Sequence, residues 1–186
     1  MIAPLAEAAN LGIALVGLGS AFGVGLVFIQ AGVAKLRHRN LFPGVVAQYR
    51  LLPARLVAPA AQVLPPLEVA LGLALLAGGW RLAVVPAALL LSLFALAMAV
   101  NLGRRRRLID CGCGHAHLRQ PLSWTLVVRN LALASLLLFR LLPAPAPALA
   151  QLATAALLGV TMFVLNLLLN GLTALAASPL MLRGGR

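Results

Sequence analysis

Of the 186 residues, 62% are hydrophobic and only 10% are charged, against roughly a quarter charged in soluble domains. That balance excludes a soluble globular fold, which could not hide so much apolar surface, and leaves lipid as the main solvent. The net charge of +12 does not argue for nucleic acid, because the cations stand in short loops between apolar runs. That is the pattern of a multi-pass membrane protein facing anionic headgroups.

A membrane-crossing helix needs about 20 mostly apolar residues. The N-terminus, MIAPLAEAANLGIALVG, has no basic segment ahead of its apolar run, so the first span is expected to be retained. It covers residues 9–34 and carries Gly12, Gly17, Gly19, Gly23, Gly25 and Gly32, which allow close approach of a neighbouring helix. Residues 35–62 mix cations, apolar residues and three prolines and read as an interfacial amphipathic piece. The second span is predicted at 63–79, with Pro65-Pro66 in its first turn. Gly78-Gly79-Trp80-Arg81 makes a turn, and the third span follows at 82–102.

The loop RRRRLIDCGCGHAHLR (104–119) then leads to a fourth span at 122–142. PAPAPA at 143–148 cannot continue that helix and reads as a stiff connector. Residues 149–169 form a fifth span with a basic tail up to residue 186, where an interfacial helix is the alternative. The expected fold is therefore an all-α integral membrane protein. It is an antiparallel four-helix transmembrane bundle (1–142) plus a C-terminal fifth span with its basic tail (149–186).

Counting cations sets the orientation. Twelve of the fifteen Lys/Arg lie in the loops and tail on one side, and only Arg81 and Arg140 lie on the other. The expected arrangement has the N-terminus outside and the C-terminus in the cytoplasm. An antiparallel bundle also brings Gln30, Lys35, Glu68, Asn101, Asp110, Cys111, Cys113, Arg129 and Asn130 to one membrane face.

Glu68 is expected about four residues into the second span and Arg129 about seven into the fourth, roughly 6 to 10 Å below the interface. An unpaired charge at that depth costs several kcal/mol, so such groups face the bundle interior and pair. A Glu68–Arg129 pair is expected, with Asn130 and Gln30 beside it, serving either as a latch between spans or as part of a functional site.

Cys111 and Cys113 are separated by one glycine. Glycine lets the backbone fold tightly enough to bring the sulfurs together, and a strained exposed disulfide exchanges readily. Neighbouring arginines favour the thiolate, while Asp110 opposes it. A dithiol/disulfide couple is the leading reading. The alternative is a metal site built from Cys111, Cys113, His115 and His117, whose donor types suit zinc or copper but whose seven-residue span is cramped. Reduced cysteines in a solvated loop are the third possibility.

The ordered set FIQAGVAKLR (28–37), YRLLP (49–53), LPPLEVALGLALL (64–76), DCGCG (110–114) and SWTLVVRN (123–130) resembles the MauE branch of the MauE/DoxX redox-associated membrane proteins. The resemblance covers residues 28–142. It implies a four-helix membrane protein of the bacterial inner membrane, linked to thiol redox and to maturation of exported proteins. The name-giving member is associated with maturation of the disulfide-rich small subunit of methylamine dehydrogenase. Carried over by position, the family's residues here are Lys35, Tyr49, Pro53, Pro66, Glu68, Asp110, Cys111, Cys113, Trp124, Arg129 and Asn130. Cys111 and Cys113 would exchange, with Glu68 and Arg129 shaping the pocket beneath.

Implied partners are a thiol-containing client or a thioredoxin-like protein, in addition to membrane lipid. A quinone as electron partner rests on analogy with other membrane thiol oxidases. His115, His117 and the fifth span depart from the family's pattern. The charge count conflicts with a disulfide-forming role, because it puts the cysteines on the cytoplasmic side, where thiols are kept reduced and the pair would relay reducing equivalents or sense redox state. A non-catalytic scaffold is the remaining reading.

Overall fold

The computed structural model describes residues 3–77, 81–106, 109, 121–143 and 147–183. It contains six α-helices: α1 (Ala3–Arg37), α2 (Phe42–Tyr49), α3 (Ala54–Leu76), α4 (Arg81–Gly103), α5 (Trp124–Leu138) and α6 (Leu149–Arg183). A short 3-10 turn, Phe139–Leu141, extends α5. Five of these are long and apolar enough to cross a membrane, including residues 149–174 of α6. The chain is an all-α multi-pass membrane protein, since only helices that pair their own backbone groups persist in lipid without a closed barrel.

α1 is the central helix and packs most extensively on α3 and α6, while α4 pairs with α5. Its glycines are divided among these neighbours. Gly25 and Gly32 meet α3 at Gly72 and at Pro65 and Val69, and Gly19 and Gly23 meet α6 around Gly159. A Cβ on Gly159 would stand 2.8 Å from both the Gly19 carbonyl and the Gly23 nitrogen. Helices in lipid gain little from hydrophobic exclusion, so this backbone approach supplies dispersion contact that bulkier residues would prevent.

The central core gathers Val24 and Phe28 of α1, Leu71 and Leu75 of α3, Leu91 of α4 and Leu137 of α5. A second cluster, nearer the end of α4, holds Met98 and Leu102, Leu126 and Val127 of α5, and also Ile109 and Leu122. Ile109 and Leu122 bracket the cysteine loop, so both of its described ends are anchored in that cluster. Leucines such as Leu89, Leu96, Leu157, Leu168 and Leu172 point outward, as lipid-facing positions should.

Several boundaries differ from the sequence expectation, α1 running over Ala3–Arg37 where 9–34 was expected. α3 begins at Ala54, not at residue 63, and runs unbroken through Pro59, Pro65 and Pro66. A proline pair suits a first turn, but a helix in lipid continues past it because neighbouring helices tolerate the freed carbonyls better than lipid tolerates a break. The amphipathic character expected over 35–62 is split between α2 and the mostly exposed first turns of α3. α6 also runs beyond the expected end of the fifth span at residue 169.

Candidate functional site

Most of the bundle's buried polar groups collect at the end formed by the C-termini of α1 and α4 and the N-terminus of α5. Lys35 lies in the last turn of α1, where the helix dipole favours a cation. Its Nζ donates to both Glu68 oxygens, each at 2.7 Å, and the two side chains are 6% and 1% exposed. The ammonium also stands 5.7 Å from the ring centres of Phe42 and Phe94. A desolvated cation over an aromatic face is held by about 2 kcal/mol, so Lys35 is fixed by the carboxylate and by two rings.

This corrects the expected pairing of Glu68 with Arg129. α3 starts earlier than the sequence boundary suggested, and its Pro65–Val69 turn lies against Gly32, which sets Glu68 beside the C-terminal turns of α1. α3 packs on α1, whereas α5 packs on α4 and α1. The long lysine stem of α1 therefore reaches inward to the carboxylate.

Arg129 still faces the same region. Together with Gln30, Glu68, Asn130, Asn166 and Asn170 it lines a cavity of about 20 Å³, the size that holds a single water. Its Nε and Nη2 donate to the Asn130 side-chain oxygen at 3.3 and 3.0 Å, and its Nη1 donates to that of Asn170. Asn166 is buried one turn before Asn170, and its side-chain oxygen has no hydrogen-bond partner among the described residues. The sequence reading missed both α6 asparagines. Their signal was present: two asparagines four residues apart on one face of a mostly apolar helix.

Replacing Asn170 with leucine is expected to lower stability in detergent by about 2 kcal/mol, the value of a hydrogen bond to a charged group. Replacing Thr154, an exposed residue that bonds only within its own helix, with valine is expected to change it little. A thermal melt of both variants decides the matter.

The other expected residues fall around this centre. Asn101 is fully buried, and its side-chain oxygen accepts from Arg106 at 3.2 Å, closing the end of α4. Tyr49 packs against the cluster that anchors the loop ends. Trp124 opens α5 and is 55% exposed. Asp110, Cys111, Cys113, His115 and His117 lie outside the described residues.

A second opening adjoins the first. It is a mostly apolar groove of about 190 Å³ between α2, the linker to α3, and α4, with Lys35 and Phe94 in its wall. Phe94 also lines the polar cavity, so the Lys35–Phe94 contact divides a polar compartment from an apolar one.

A multi-pass all-α membrane protein with a buried ion pair and an arginine–asparagine cluster at one end is the class that the fold and site define. A family model described as "Methylamine utilisation protein MauE" matches residues 13–143. The chain belongs to the MauE family. It is 44% identical over 156 residues to "Methylamine utilization protein MauE" of Paracoccus denitrificans, covering 80% of this chain and 84% of the relative. It is 44% identical over 167 residues to the protein of the same name in Methylorubrum extorquens, with 86% and 89% covered. The protein of that name in Methylophilus methylotrophus is 48% identical over 122 residues, with 62% of each chain covered. No solved structure matches the chain significantly.

Proposed function

We propose that this protein is a thiol–disulfide exchange component of the bacterial inner membrane that assists maturation of an exported protein, in the setting of methylamine utilisation that its relatives' names state. The observation that carries the reading is the buried polar cluster at the end of the bundle where α4 and α5 are joined by a loop containing Cys111-Gly-Cys113. Ile109 and Leu122, one on each side of that loop, are buried in one cluster. Membership of the MauE family supports the physiological setting.

The exchange step places the cysteine loop on the oxidising side of the membrane, against the cation count, and balances within the thiols. A client thiolate attacks one sulfur of the Cys111–Cys113 disulfide, and the other sulfur leaves as a thiolate and takes a proton. A second client thiol then displaces the mixed disulfide. The client gains a disulfide, and the pair ends as a dithiol carrying the two electrons and two protons. Arg129 and the loop arginines favour the leaving thiolate. Glu68 and Lys35 are positioning residues that hold the floor beneath the loop.

Replacement of Cys111 and Cys113 by serine tests this reading against the metal alternative. The double cysteine variant is expected to accumulate normally and to abolish methylamine-dependent growth. The His115→Ala/His117→Ala variant is expected to retain it. Loss of growth in the histidine variant, with bound zinc or copper in the purified parent, would favour the metal reading.

A further inference from the structure

The apolar groove beside Lys35 carries a chemistry of its own that does not depend on the redox reading. Its walls include Val45 and Tyr49 of α2, Leu51 and Leu52 of the linker, and Phe94 and Ala97 of α4. The charged residue in the wall, Lys35, is already engaged by Glu68, so the interior suits hydrocarbon. At about 190 Å³ the groove is smaller than the roughly 300–1,000 Å³ of pockets that enclose a whole small molecule. A segment of a longer chain fits it better.

Arg50 stands in the chain between the lining residues Tyr49 and Leu51, Arg55 lies in the first turn of α3 three residues after the lining Leu52, and both are exposed, so the chain bordering the groove is basic. Arg50 closes α2 with its N–H donated to Ala47 and takes the left-handed conformation at φ 48°, where glycine is the least strained residue. A long cation therefore occupies a position whose backbone favours no side chain. Next to it α3 opens on Pro53 without a side-chain cap, so the positive end of the helix adds to the two guanidinium groups.

We propose that this groove seats one acyl chain of an anionic phospholipid, with the lipid phosphate held at the rim by Arg50 and Arg55. The hydrocarbon interior and the cationic rim together match an amphipathic anion, and the membrane supplies it at high local concentration.

Native mass spectrometry of the full chain released from detergent, with dioleoyl phosphatidylglycerol or dioleoyl phosphatidylcholine added, tests the assignment. The parent protein is expected to retain phosphatidylglycerol in preference by on the order of tenfold, as two interfacial cations allow. Arg50→Gly/Arg55→Gln is expected to abolish the preference while its thermal midpoint is unchanged or higher, because glycine relieves the left-handed backbone. Ala97→Phe, which fills the groove, is expected to lose retention of both lipids. Equal retention of the two lipids by the parent, preference surviving in the arginine variant, or retention unaffected by Ala97→Phe would each overturn the proposal. So would a lipid-free dimer, which would mean that a second copy covers the groove.

Discussion

Lys35→Met is expected to destabilise the protein by about 3 kcal/mol or more, the usual consequence of leaving one member of a buried ion pair without its partner. The Glu68 carboxylate would remain in the bundle, 1% exposed, without the ammonium that neutralises it and with little access to water. Glu68→Leu is expected to be as damaging, because it strands the ammonium between Phe42 and Phe94. The double variant Lys35→Met/Glu68→Leu removes both charges at similar volume and is expected to recover most of that loss, leaving it within about 1 kcal/mol of the parent. Unfolding in mixed micelles followed by tryptophan fluorescence gives all three values. A double variant that loses the sum of the two single effects would show that the pair is not coupled. The same variants separate a latch from a functional component. If the pair serves only as a latch, the double variant recovers methylamine-dependent growth with its stability. If it holds the floor of an exchange site, stability returns without growth.

Gly72→Val is expected to cost about 3 kcal/mol and to weaken accumulation in the membrane. A Cβ there would lie 2.7 Å from the Gly25 carbonyl and 3.0 Å from the Ile29 nitrogen. Both are backbone atoms of α1, so the clash can be relieved only by moving one helix away from the other. Separation of α1 from α3 also pulls Lys35 away from Glu68, which joins the packing defect to the electrostatic one. Gly12→Ala is the control, since nothing lies within 4 Å of a Cβ at that position. The same unfolding assay compares the two, and a Gly72→Val protein as stable as the Gly12→Ala control would contradict the close approach of α1 and α3.

Hydropathy made the helices legible because lipid imposes a length and a composition that soluble proteins need not meet. α4 falls within about a residue of its expected limits, and α5 with its 3-10 turn within about two. α3 was misread at its start because Pro65-Pro66 looks like a first turn. The sequence carries no local mark of a helix that continues through prolines under tertiary support. The gathering of polar residues at one end followed from alternating helix direction alone, and Gln30, Lys35, Glu68, Arg129 and Asn130 do meet there. Which charge pairs with which did not follow. That depends on α3 lying against α1, and six glycines in α1 do not reveal which of them faces α3 and which faces α6. Asn166 and Asn170 were overlooked because the fifth span was read for hydropathy alone, although their four-residue spacing marks a buried polar face.

The reading rests in the end on whether Cys111 and Cys113 form a working redox couple. Differential alkylation in cells, with one reagent trapping free thiols and a second applied after reduction, measures this directly. The pair is expected to be partly oxidised in growing cells, fully reduced after dithiothreitol, and reoxidised when the reductant is removed. Cysteines that stay wholly reduced under all three conditions would contradict a thiol–disulfide role for this protein.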